Sequence, residues 1–154
     1  MIIGRAGYDP TRYSLTSKSL TFAGATPNAI GDHDGTGDPT TLFTVTGDVI
    51  VNIIAACTTN LGFDANATIE VGIGGGSEII PTTDLTVSAL TAREIWWDTT
   101  PTAEIEPLST IRDFIITNGN DIQLDCAVAN VNSGVIVFYC FWLPLSAGAT
   151  VVAA

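Results

Sequence analysis

The chain has 154 residues, 46% of them hydrophobic and 14% charged, and sixteen acidic against five basic residues leave a formal net charge of −11. That length predicts one domain with one well-buried core. A polyanion repels phosphate, which excludes nucleic-acid binding through the usual basic footprint.

The few cations sit early: Arg5, Arg12 and Lys18 cluster near the N-terminus, and only Arg93 and Arg112 lie beyond. The first twenty residues are thus mildly basic and are expected to form an arm that lies on an acidic neighbour, copies of this chain included. Gly4-Arg5 interrupts the apolar start at once, so no secretory leader is expected. Tyr13 to Phe22 alternates without a clear apolar face; it could be a strand, and is assigned to an arm that packs on a neighbour. Ala23 to Thr40, rich in Gly, Asp, Pro and Asn, is too long for an ordinary connection.

Within that loop, Asp32-His33-Asp34-Gly35-Thr36-Gly37-Asp38 is the one dense polar cluster. Asp32, Asp34 and Asp38 make a weak Ca²⁺ candidate, because a hard cation takes carboxylate oxygens at alternating positions. An EF-hand would need a Glu where Phe43 stands, so a solvated acidic turn is the simpler expectation. Zinc needs three or four ligands, and His33 is the only histidine. It would also be the only base for a nucleophilic triad, and no Gly-x-Ser-x-Gly elbow is present. No metal, no cofactor and no catalysis are expected.

From Leu42 onward the chain is one β-type apolar run after another. Leu42 to Thr46 and Asp48 to Thr59 are separated by Gly47, a kink or bulge signal. Asn66 to Ile73 alternates, with Ile69, Val71 and Ile73 opposite Thr68 and Glu70, as a half-buried antiparallel strand does. Gly74-Gly75-Gly76-Ser77 breaks it before Glu78 to Pro81, and Leu85 and Val87 alternate again with polar residues. Ile95-Trp96-Trp97 is a short aromatic strand. Thr110 to Thr117 and Asp121 to Ala129 flank Asn118-Gly119-Asn120, a hairpin signal because Asn and Gly tolerate positive φ. Val135 to Leu143 is apolar on both faces and reads as a central strand. The longest apolar run, Val135 to Leu145, is too short to cross a bilayer, which needs ~20 residues in a helix.

Helix periodicity is nearly absent, and roughly eight strands with Gly, Asn, Asp and Pro punctuation predict an all-β fold. We expect an antiparallel β-sandwich, jelly-roll-like, with an extended N-terminal arm: arm and loop over residues 1–40, the sandwich over 41–145, and an apolar tail over 146–154 that suits a strap. Cys57, Cys126 and Cys140 form an odd set inside apolar stretches, as expected of free thiols in a reducing compartment. Low charge and many large apolar side chains predict exposed contact patches and a homo-oligomer. Trp96, Trp97 and Trp142 stand at strand ends beside polar residues and Pro, where large rings serve as core packing, as interface anchors or as sugar platforms; with Arg5, Arg12 and Lys18 they are the interface candidates.

Four stretches carry a resemblance: Thr41-Leu42-Phe43-Thr44-Val45-Thr46-Gly47-Asp48-Val49-Ile50-Val51, Ile69-Glu70-Val71-Gly72, Trp97-Asp98-Thr99-Thr100-Pro101, and Trp142-Leu143-Pro144-Leu145-Ser146-Ala147-Gly148-Ala149. Each is short, and together they span the chain from residue 41 onward. They resemble the small structural proteins of tailed-bacteriophage virions, the head decoration (cement) type in particular. The resemblance implies a β-sandwich on the capsid exterior, often trimeric, that clamps neighbouring major capsid subunits after assembly in the bacterial cytoplasm. It implies no catalytic residue, no nucleic acid and no membrane. The alternative is a tail-associated or adhesin-like β module that binds a host surface glycan.

Overall fold

The computed structural model describes residues 13–106 and 112–154, and contains no helix among them. Eleven strands follow one another: β1 (Ser14–Thr21), β2 (Thr40–Thr46), β3 (Val49–Phe63), β4 (Thr68–Ile73), β5 (Ile80–Asp84), β6 (Glu94–Trp96), β7 (Thr102–Ala103), β8 (Phe114–Ile116), β9 (Ile122–Ala127), β10 (Val131–Pro144) and β11 (Thr150–Ala153). They form two antiparallel sheets packed face to face. The first has the order β1-β10-β3-β6-β7, with β8 also on β3; the second has the order β11-β2-β9-β4-β5.

Period-two patterning builds both layers. In β3 the side chains of Val49, Val51, Ile53, Ala55 and Cys57 are buried, and across the ladder Ala55 and Ile53 stand opposite the buried Phe138 and Cys140 of β10. From the second sheet come Phe43, Ile69, Val71, Ile122 and Leu124, all fully buried. Trp96 closes one side of this core, its ring edge-on to Phe138 at 6.2 Å between centroids. Its indole N–H donates to Thr83 Oγ1 at 2.9 Å, and that hydroxyl donates in turn to the Asp98 carbonyl, 3.2 Å away. A buried polar pair satisfied in this way ties β6 to β5 across the layers, where leaving either group unpaired would cost about 1–3 kcal/mol.

Three expectations change. The arm is a sandwich strand from Ser14 on: β1 pairs with β10 from Ser14↔Trp142 to Thr21↔Val135, and Leu20 and Phe22 enter the core. The remaining arm positions, Arg5 and Arg12 among them, lie outside the described residues. The Leu85–Ser88 segment is a turn, with Val87 81% exposed; Ser88 N–H bonds back to the Asp84 carbonyl at 2.8 Å, so the alternation there has no partner strand.

The third change is the Asn118-Gly119 turn. Both residues have positive φ, 55° and 67°, yet β8 and β9 do not pair with each other. β8 pairs with β3 in the first sheet and β9 with β2 and β4 in the second. The turn is a corner between layers, held from outside: Asn118 N–H donates to Asp48 Oδ1 at 2.8 Å, and Gly119 N–H to the Gly47 carbonyl at 3.2 Å. Asp48 also receives Leu145 N–H on its carbonyl (2.8 Å) and donates its own N–H to Ser146 Oγ (2.9 Å). One aspartate thus joins the three connections, β2–β3, β8–β9 and β10–β11, that cross between sheets at this end. The tail that resembled a strap is β11, paired with β2 of its own chain from Thr150↔Thr46 to Ala153↔Phe43.

Candidate docking face and cleft

Each sheet has one face in the core and one facing outward, and the two outward faces differ in kind. Strand pairing in the first sheet sets side by side Ser17, Tyr139 and Ile54; Ser19, Val137, Ala56 and Ile95; and Leu143, Ile50 and Ile115. None of these side chains is charged; in the row between them, Leu15, Phe141 and Asn52, Asn52 donates to the exposed Asp113 carboxylate at 3.2 Å. Leu15 and Ile115 are plainly exposed at 57% and 67%, and the β3 and β10 members between them are half-buried. With strands ~4.8 Å apart and rising ~3.3 Å per residue, the patch, four strands wide and seven residues long, measures roughly 20 by 23 Å. That is a little over half of the ~800 Å² per partner that a standard interface buries.

The outward face of the second sheet is polar and acidic. Glu70 stands directly opposite Asp125 in the β4–β9 ladder, and Thr41 opposite Gln123 in β2–β9. Like charges at paired positions are unfavourable, and a third carboxylate adds to them. Asp38 receives Cys126 N–H at 3.1 Å and lies against Asp125. Partial burial, together with the Asp125 charge, pushes the Asp38 carboxyl up to about 7.

Between the layers, on the β5 side, a cleft of about 370 Å³ opens. Its cause is a break in the first sheet. β6 pairs with β3 at Ala55 and Ala56, β8 pairs with it at Val49 to Val51, and among the described residues no strand pairs with positions 52–54 on that edge. Ile53, Ile79, Pro81 and Phe114 form apolar walls; Trp97, Arg112, Glu78 and Asp98 also line it. Glu78 accepts Ile73 N–H at 3.1 Å and Asp98 accepts Thr100 N–H at 2.7 Å. Trp97 Nε1 and Asn52 Oδ1 are buried without a hydrogen-bond partner among the described residues; Asn52 belongs to the interrupted stretch and Trp97 follows β6.

The residues singled out from sequence scatter. Trp96 is fully buried, so its ring belongs to the core and offers no contact surface; a completed hydrogen bond and an edge-on aromatic neighbour hold it there. Trp142 is half-buried, packed against the core with its N–H on Thr16 Oγ1 at 3.0 Å. Lys18 turns toward the second sheet and donates to the Ala154 carbonyl. Trp97 alone of the three lines a cleft. Asp38 is drawn off to Asp125 and Cys126, and the metal-type cluster that forms is Asp32, His33 and Asp34, with ligand atoms within 4.8 Å of one another. Asp32 there caps Asn28 N–H at 2.7 Å. His33 bonds Asn130 through Nδ1 at 2.7 Å, and this bond raises its pKa. All three cysteines are buried and unpaired, and burial pushes the Cys140 thiol up to about 12.

The outward apolar residues of β3 and β10 escaped sequence reasoning, although their signal was present: strands apolar on both sides need cover on both sides. Arg112 and Ile53 had no such signal, since only the split of the sheet edge brings them together. Compared with protein-family models, curated proteins and solved structures, the chain matches none.

Proposed function

We propose that the protein is a structural, non-catalytic virion subunit: a decoration protein that sits as a homo-oligomer, trimer favoured, on the outside of a tailed-phage head and binds the major capsid protein. The observation that carries this is the contrast between the outward faces. The outward face of the first sheet, apolar save for Asp113 beside Asn52, is a surface among the described residues on which a chain of charge −11 can meet a partner with few carboxylates brought together. The acidic face is then turned to solvent, away from packaged DNA. Contacts made only in the assembled state stabilise that state by mass action.

The connectivity supports the same proposal. The orders β1-β10-β3-β6 and β2-β9-β4-β5 interleave in the way we read as two Greek keys of a jelly roll, an architecture found in viral capsid and lectin domains. The buried, protonated thiols suit a protein that acts through surfaces.

The test is sedimentation. Capsids of the phage that encodes this chain, prepared without it, are mixed with the purified protein and pelleted. The protein is expected in the pellet, and the capsid melting temperature is expected to rise. A protein that stays in the supernatant with the melting temperature unmoved, or that is found by microscopy only on the tail, would falsify the assignment.

A further inference from the structure

We propose that the cleft at the split edge of the first sheet is a saccharide-binding site. Its volume, about 370 Å³, falls in the range of small-ligand pockets and is on the order of one or two sugar rings. The class of ligand follows from the complement of groups. Arg112 and Trp97 can only donate hydrogen bonds, whereas the Glu78 and Asp98 carboxylates offer acceptor oxygens. Each carboxylate spends part of its capacity on one backbone N–H and keeps lone pairs to offer. An anionic ligand would meet both carboxylates on a strongly acidic chain, and a cationic one would meet Arg112. Hydroxyl groups satisfy both kinds of partner because each donates and accepts at once.

Apolar walls set the second requirement. Ile53, Ile79, Pro81 and Phe114, together with the Trp97 ring, call for a ligand with C–H faces between its hydroxyls. A pyranose has that build, and aromatic rings pack well on such faces. The third observation is the indole N–H of Trp97. Buried donors without a partner are rare in folded proteins, and each costs about 1–3 kcal/mol. A small turn of the Trp97 ring on binding would bring this donor, shut from solvent in the free protein and unpartnered among the described residues, to a sugar hydroxyl in the cleft.

The cleft opens beside the docking face but is argued from its own lining, so the two proposals fail separately. The test is an NMR titration of the full chain, ¹⁵N-labelled, with methyl glucoside, methyl galactoside, N-acetylglucosamine and rhamnose up to roughly 50 mM, which reaches millimolar affinities. Hexanoate and hexylamine serve as charged apolar controls. At least one sugar is expected to shift the Trp97 indole resonance saturably. Trp97→Phe, which keeps the ring and deletes the donor, and Arg112→Gln are each expected to weaken binding about tenfold, the equivalent of one lost hydrogen bond. Backbone spectra would show both variants folded, and both should still pellet with capsids. The proposal is overturned if no sugar moves that resonance, if a charged control binds in place of the sugars, or if both variants bind sugar as the parent does.

Discussion

Two sheets of one sandwich share a core and yet present opposite surfaces. The first sheet turns Tyr139, Val137, Ile54 and Ile50 outward, uncharged and closely spaced. The second turns out Glu70, Asp125, Gln123 and Thr41, with two carboxylates paired across the ladder. Folding alone requires only the inward faces. An apolar outward face is an aggregation risk unless something covers it, and a doubly acidic outward face sacrifices stability to repulsion. Both features make sense together in a chain that must associate through one side and stay apart through the other.

Inserting a charge into each face breaks the symmetry of that statement most directly. Ile54→Lys places an ammonium at the centre of the apolar patch, where a docked partner would strip its water; burying an unpaired charge costs several kcal/mol. Capsid binding is expected to fall at least ~100-fold, equivalent to about 2.8 kcal/mol, with the protein's own melting temperature little changed because the residue faces outward. Gln123→Lys on the acidic face is expected to leave binding within about twofold. Equal losses from the two variants, measured by sedimentation, would place the docking surface elsewhere.

Adjacent residues of β10 sharpen the distinction between folding and docking. Phe138 faces inward, fully buried against Trp96, whereas Tyr139 faces outward. Phe138→Ala should destabilise the fold by about 3–5 kcal/mol through lost transfer energy and a cavity. Tyr139→Ala should lower stability by about 1 kcal/mol or less while weakening capsid binding. Urea denaturation reads the first effect, and sedimentation of the folded variant reads the second.

How far the sequence could be read follows the same division. Alternation exposed β4, β9 and the central position of β10, because a strand with one buried face writes its period in side-chain type. The all-β sandwich was legible for that reason. Asn118-Gly119 misled because its positive φ values suit a hairpin and a corner equally. The deciding contacts, to Asp48 and Gly47, lie 70 residues away for the first of them. β1 was obscured because two of its inward positions, Thr16 and Lys18, are polar and leave no apolar stripe; only Leu20 and Phe22 mark its inner end. The cleft was illegible altogether. Its residues come from β3, β5, β8 and the segment after β6, and a break in pairing leaves no trace in local pattern. Trp96 and Trp97, neighbours of one type, went to core and cleft because Trp96 ends β6 facing inward and Trp97 belongs to the bend beyond it.

The smallest expected effect tests the acidic face itself. Asp38 in the folded protein holds its proton up to about pH 7 because it is half-buried beside Asp125, whereas in the unfolded chain it titrates near the ordinary ~3.9. Its folded pKa is raised, so the folded state binds the extra proton. Stability from this group is therefore full below about pH 4 and lost as the pH rises through 7, where the charged carboxylate must be accommodated. Asp38→Asn keeps an oxygen to accept Cys126 N–H and removes the charge. At pH 8 it should stabilise the protein by about 1 kcal/mol, allowing for solvent screening at a half-exposed site. At pH 4 it should give no gain, since the parent carboxyl is then protonated in the folded state. Urea midpoints across that pH range measure the difference. A gain that is flat with pH would mean that crowding of carboxylates does not govern this face, and that the contrast between the two surfaces rests on the apolar one alone.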